Sequence, residues 1–140
     1  MTTFISKNQI RMHDTDMAGI LYFPRQFRLV HDAVEDFFET NDLGLSLIFQ
    51  QKDYLFVVVH AESDYIHPLK VGDKLEVTLT VETIGTTSFT CSFAIHKIDQ
   101  NSLKILAGTA KTVHVAIDKA SRTKIPLPEE LKFILQRYSS

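Results

Sequence analysis

The spacing of apolar residues along this chain switches near its start and again near its end. Phe4 to Met12 alternates only in part, as a short strand would. Across residues 24–39, PRQFRLVHDAVEDFFE, the apolar positions Phe27, Val30, Val34, Phe37 and Phe38 fall three and four apart, which predicts a helix with one apolar stripe. The second half has period two. Residues 55–66 (LFVVVHAESDYI) open as a continuous β-branched run. Residues 74–84, 88–98 and 103–117 alternate, with Leu75, Val77, Leu79 and Val81, then Phe89, Cys91, Phe93 and Ile95, on one face. The links VGD, GTT and DQNS are short, which predicts a four-strand antiparallel meander. Gly108, inside the longest strand, predicts a bulge or a close backbone approach. A closing helix is expected from IPLPEELKFILQRY, striped by Leu131, Ile134, Leu135 and Tyr138.

One strand, one helix with three phenylalanines on its stripe, and then four long strands make an α+β chain in which the helix lies in the curve of a single antiparallel sheet. The length of 140 residues suits one domain, residues 1–140. A sheet of this kind has a bare edge, and pairing two copies edge to edge covers it, so a homodimer or homotetramer is expected. A formal net charge of -2 supplies no basic field for nucleic acid. The single cysteine, Cys91, excludes an intrachain disulfide framework and reads as a small core residue. The N-terminus lacks an apolar signal region and no stretch is long enough to span a bilayer, which points to a cytoplasmic protein without membrane contact.

Chemistry concentrates between the first strand and the helix, where residues 13–27 read HDTDMAGILYFPRQF. Pro24 suits the first helical position, because its missing N–H costs nothing there. Tyr22 and Phe23 are not capping types, so the N–H groups of Phe23, Arg25 and Gln26 are expected to lack a local side-chain acceptor at the positive end of the helix dipole. Free donors of this kind can hold a developing oxyanion. Gly19 permits a sharp turn or close approach to a ligand. Asp16 can fold back beside the donors, and on spacing alone it is as well placed to cap the helix from outside.

The run DTDMAGILYFPRQF, with the aromatic-rich helix behind it and DYIHPLKVGDKLEV further on, resembles the 4-hydroxybenzoyl-CoA thioesterase-like family of hotdog-fold acyl-CoA thioesterases, from Phe4 to about Leu127. The matching motif is Asp14, Asp16, Ala18, Gly19, Ile20, Leu21, Tyr22 and Phe23. The resemblance implies that Asp16 is the catalytic carboxylate, that the Phe23 backbone N–H is the oxyanion donor, that the sheet wraps a central helix, and that active sites form at a dimer interface. Within the family the chain looks most like the 1,4-dihydroxy-2-naphthoyl-CoA hydrolases of phylloquinone and menaquinone synthesis, through LYF, VHDAVEDF and FVVVHAESDYIHPLKVGD. It departs from some relatives in carrying Phe23 where they have a histidine. The segment ETIGTTSF also lacks the basic residues that 4-hydroxybenzoyl-CoA thioesterases use for the nucleotide.

The expected substrate is therefore an acyl-CoA with an aromatic acyl group, 1,4-dihydroxy-2-naphthoyl first and 4-hydroxybenzoyl second. Gly19, Tyr22, Phe27, His60 and Tyr65 are the candidate substrate contacts. Arg122 and Lys124 are either a solvated basic pair or the CoA phosphate contact. Glu35 stands on the central helix, where another thioesterase branch places a glutamate, but with Asp16 present it reads as a solvated or interface residue. The six histidines show no HExxH or close ligand spacing, so neither a metal nor a cofactor is called for. Ser63 has no Gly-x-Ser-x-Gly frame. A carboxylate is a weak base, which tilts the expected chemistry toward direct attack by Asp16 through a mixed anhydride. Hydrolysis of carrier-protein thioesters and non-catalytic acyl-CoA binding are the alternatives.

Overall fold

The computed structural model describes residues 3–139. Its elements run β1 (Phe4–Gln9), α1 (Gln26–Thr40), α2 (Leu45–Gln51), β2 (Tyr54–Tyr65), β3 (Lys74–Ile84), β4 (Ser88–Ile98), β5 (Lys104–Asp118) and α3 (Glu129–Arg137). The alternation in the second half is realised as expected. Leu75, Val77, Leu79 and Val81 of β3 and Phe89, Cys91, Phe93 and Ile95 of β4 are all buried, and burial pushes the Cys91 thiol up to about 12. Onto this face α1 lays Leu29, Val30, Ala33, Val34, Phe37 and Phe38. Phe37 meets Phe4 edge-on at 5.5 Å between centroids, and Phe38 meets Phe56 at 4.9 Å and Phe89 at 6.3 Å, so one helix ties together β1, β2 and β4.

The four-strand meander is corrected. All strands are antiparallel, but their order is β1-β3-β4-β5-β2, so only β3, β4 and β5 form a meander. The segment after β2 is longer than the VGD turn expected from sequence. The eight residues 66–73 make nine links of about 3.3 Å each between Tyr65 and Lys74, ample to cross the three strand spacings of about 4.8 Å that separate β2 from β3. The crossing segment is tied down along the way. Ile66 and His67 both donate to the Ala107 carbonyl, and the Leu69 carbonyl accepts from Leu21 at 2.7 Å. As a result β2 lies on an edge, with Val57, Val58 and Val59 exposed. The helix α2 was not anticipated: at seven residues it is too short to show a period.

The segment between β1 and α1 is held by Asp14, which is fully buried. Its carboxylate accepts from the Arg11 N–H at 2.8 Å, from Nε and Nη2 of Arg25 at 3.2 and 3.0 Å, and from Nε and Nη2 of Arg28. Arg28 reaches on to Asp32 at 2.7 Å and to the Gln9 carbonyl at 3.2 Å. The Asp14 carbonyl in turn accepts from Tyr22 N–H at 2.8 Å. Burial alone would push this carboxyl up, but the hydrogen bonds from Arg28, Arg11 and Arg25 outweigh it and bring the pKa down to about 2.

Because the folded value lies below that of a free carboxyl, Asp14 stabilises the fold fully above about pH 4 and loses that contribution as the pH falls toward 2. Asp14→Asn should cost about 3 kcal/mol, the low end for breaking a buried pair, since the Arg25 side chain keeps some contact with water. Melting curves of wild type and variant between pH 2 and 7 check this: a gap of about 10 °C at neutral pH should narrow below pH 4 and close near pH 2.

Candidate active site

Asp16 sits two residues beyond the buried carboxylate, in a turn of its own. Its N–H donates to the Ile20 carbonyl at 3.0 Å, its carbonyl accepts from Gly19 N–H at 3.0 Å, and Oδ1 accepts from Ala18 N–H at 2.8 Å. Gly19 closes the turn at φ +80°, a backbone shape that a Cβ would disfavour. The turn is docked on both sides by bridges between Thr15 and Leu21 and between Ile20 and Lys70. One carboxylate oxygen is thus fixed by the turn, and Oδ2 makes no hydrogen bond among the described residues. Asp16 does not cap the helix, because neither the turn before α1 nor α1 itself has a side-chain cap.

Pro24 does not open α1 directly. Phe23, Pro24 and Arg25 form a 3-10 turn that leads into the helix at Gln26. This turn narrows the set of free donors. Arg25 N–H donates to the Tyr22 carbonyl at 2.8 Å and Gln26 N–H to the carbonyls of Phe23 and Pro24, so of the three N–H groups expected to be free only that of Phe23 has no acceptor among the described residues. The Phe23 carbonyl is itself pinned by the Tyr65 hydroxyl, which donates to it at 2.7 Å from the end of β2. The orientation of the peptide planes around Phe23 is therefore set from both sides.

Asp16 and Phe23 line one cavity of about 390 Å³, together with Ile20, Leu21, Gln26, Tyr65 and residues 66–69. Of the candidate substrate contacts, the structure brings Tyr65 into this cavity and stacks Tyr22 edge-on against Phe23 at 5.4 Å, while Gly19 shapes the turn beneath. Phe27 lies in a separate recess with Val30, His31 and Val58. His60 is on the exposed edge of β2, 3.0 Å from Glu62, and Glu35 pairs with His31 at 2.9 Å beside a third cavity. Arg122 and Lys124 follow the far end of β5. Tyr65 pairs with Gly108 and Tyr54 with Asp118, which separates Arg122 from its own Asp16 by roughly 33 Å of strand.

Gln26 belongs to this cavity and was not anticipated. It is 1% exposed at the first position of α1, with Nε2 2.6 Å from Ser63 Oγ and 3.1 Å from the Asp64 carbonyl. The signal was present in the sequence, since Gln26, Val30 and Val34 are four apart and a polar residue on an apolar stripe needs buried partners. Gly108 explains how they are reached: a Cβ there would stand 2.7 Å from Gln26 Nε2 and 2.9 Å from the Asp64 carbonyl. The expected close approach at Gly108 is thus the approach of the Gln26 amide, and the neighbouring register shift between Ile95 and His96 is the bulge that accommodates it.

Comparison with known proteins agrees with this architecture. The profile of the thioesterase-like superfamily matches residues 10–135. The 1,4-dihydroxy-2-naphthoyl-CoA hydrolase of Nostoc punctiforme is 33% identical, with 92% of this chain and 84% of that one covered. Its counterpart from Rippkaea orientalis is 35% identical over 87% of each. The crystal structure of a 1,4-dihydroxy-2-naphthoyl-CoA thioesterase from Synechocystis superposes with a TM-score of 0.86 at 31% identity, covering 96% of both chains. With a five-stranded antiparallel sheet closed around one long helix and the match running through nearly all of it, the chain belongs to the thioesterase-like superfamily and has its hotdog fold.

Proposed function

We propose that this protein hydrolyses an aromatic acyl-CoA thioester, 1,4-dihydroxy-2-naphthoyl-CoA before 4-hydroxybenzoyl-CoA. One observation carries the chemistry: a carboxylate with a free oxygen, Asp16, and a backbone donor with no acceptor, Phe23 N–H, open on the same cavity. A thioester carbonyl seated against Phe23 N–H is polarised where the tetrahedral oxyanion develops, and such a donor is worth about 10²- to 10³-fold in rate when it is fixed beforehand. The Arg25 N–H bonded to the Tyr22 carbonyl, the other half of the same peptide group, supplies that fixing. The relatives named for the naphthoyl ester support the first choice of acyl group, and the apolar walls from Ile20, Leu21, Phe23 and Tyr65 suit a planar ring.

The same reading extends to assembly. The exposed stretch Val57–Glu62 of edge strand β2 pairs with β5 on one side, and its outer edge has no strand partner among the described residues of one copy. A two-fold antiparallel pairing centred on it would set Tyr65 of one copy opposite Tyr54 of the other. Tyr54 pairs with Asp118, where the turn carrying Arg122 begins. The cations that are out of reach within one chain would then stand at the mouth of the second copy's cavity, in position for the CoA phosphates.

Asp16→Asn keeps the shape of the side chain and removes its charge. It should lower kcat by about 10²-fold or more while substrate still binds, as steady-state kinetics with a CoA ester will show, and near wild-type turnover would remove Asp16 from the chemistry. Aryl esters should exceed straight-chain esters in kcat/KM by roughly tenfold to several hundredfold, from two or three ring contacts of about 0.5 to 1.5 kcal/mol each. A series of naphthoyl-, benzoyl-, hexanoyl- and palmitoyl-CoA measures this, and a preference for palmitoyl would refute the aryl assignment. Sedimentation should give a dimer or a dimer of dimers. In that assembly Arg122→Ala with Lys124→Ala should raise KM for CoA esters about tenfold and leave KM for a phosphate-free N-acetylcysteamine ester unchanged.

A further inference from the structure

The network around Gln26 has a fixed polarity. Ser63 carries a single hydroxyl proton and gives it to the Thr109 carbonyl at 2.8 Å, so its Oγ faces Gln26 as an acceptor. The Asp64 backbone oxygen is an acceptor in any case. Both partners of the amide therefore require the NH2 group, and Gln26 cannot turn its oxygen toward them without setting acceptor against acceptor. The amide oxygen is left with no donor among the described residues. Nor is that oxygen sealed in the core: among the described residues the enclosed side-chain nitrogen or oxygen without a partner is Nδ1 of His114, and Gln26 lines the cavity that holds Asp16 and Phe23. A glycine at position 108 of β5 keeps room for this arrangement.

We infer that Gln26 Oε1 holds the hydrolytic water, in concert with Asp16. This rests on the thioesterase reading above and deepens it. A water molecule has two protons to donate, and the cavity offers two acceptors of unequal basicity: the neutral, immobile Gln26 oxygen and the free Oδ2 of Asp16. With one O–H held by Gln26 and the other directed at Asp16, the oxygen lone pair is turned toward the carbonyl carbon seated against Phe23 N–H. As the new C–O bond forms, the proton aimed at Asp16 passes to its carboxylate and the carbonyl π electrons move to the oxygen facing Phe23. Collapse of the intermediate breaks the C–S bond. Its electron pair leaves on sulfur, which takes the proton back from Asp16, so the products are the free acid and the CoA thiol. Asp16 serves here as the general base, in place of the direct nucleophile that carboxylate basicity alone suggested.

Two variants and one isotope test decide it, each read on folded protein verified by circular dichroism. Gln26→Met keeps length and removes the acceptor; kcat should fall about tenfold to a hundredfold with KM within about twofold. Ser63→Ala leaves the cavity lining intact but releases the amide to rotate, and should lower kcat by a smaller factor in the same direction. In both, added hydroxylamine, which attacks from solution without needing a held water, should raise the ratio of hydroxamate to free acid. A general packing defect would slow both products alike and leave that ratio unchanged. If Gln26→Met does not fold, Ser63→Ala carries the same measurement. In a single wild-type turnover in 18O water, label should enter the product acid and not Asp16. Label in Asp16, or an unchanged hydroxamate ratio in both variants, overturns the role of Gln26 while the thioesterase reading stands. Failure of the wild type to hydrolyse any CoA ester overturns both.

Discussion

A carboxylate shut away from water stays charged only where enough donors replace its hydration, and Asp14 meets that condition with one backbone N–H and two guanidinium groups. The rest of the active-site region hangs on this. Arg25 and Arg28 are on the first turns of the helical segment, Arg11 lies two residues beyond β1, and the Asp14 carbonyl takes the Tyr22 N–H. One residue thereby fixes where the segment 10–22 leaves the sheet, where it returns, and how the helix start is presented. Asp16, two positions on, is carried by that anchored segment. The two aspartates of the motif differ in their surroundings: one is saturated and structural, while the other keeps an oxygen free, which is the one the proposed chemistry uses.

Presentation of the helix start is what makes a donor out of Phe23. A proline in the second position of the 3-10 turn brings no N–H of its own, and the turn consumes the next two amides locally, so only the amide at its head is left over. Had an aspartate or serine stood at Tyr22, that amide and its neighbours would have had a side-chain acceptor within reach. An uncapped start costs stability, of the order of 1 kcal/mol, and the same missing cap is what leaves the Phe23 donor open to the cavity.

How much of this was legible in the sequence follows from the range of the interactions involved. Buried strands β3 and β4 were plain because one face is core and the other solvent, which forces period two. The proline and the missing cap pointed to three free amides, at Phe23, Arg25 and Gln26, since both act within a few residues; the resemblance singled out Phe23, and the 3-10 turn occupies the other two. The position of β2 was not legible: an edge strand exposed along most of its length resembles a buried parallel strand in composition, and its neighbour is chosen by the eight-residue crossing behind it. Gln26 was missed for a related reason. Its partners Ser63 and Asp64 are 37 and 38 positions away, so its meaning depends on β2 lying beside β5 at the glycine.

That dependence links the sheet order to the chemistry. With β2 next to β3, as the short-turn meander had it, Gly108 would not face Asp64, the Gln26 amide would have no buried acceptors, and Tyr65 could not reach the Phe23 carbonyl. The crossing segment 66–73 therefore does more than connect two strands. It carries β2 to the far edge, where its last residues set the polarity of one side chain and the tilt of one peptide plane, and its own Leu69 carbonyl holds the Asp16 turn through Leu21. Asp16, Gln26 and Phe23, which line one cavity, are thus positioned by strands and turns far apart in sequence. An arrangement held at so many points has little left to reorganise when charge develops on the substrate, and that preorganisation is the main source of rate enhancement available to a site with no metal ion or cofactor among its expected parts.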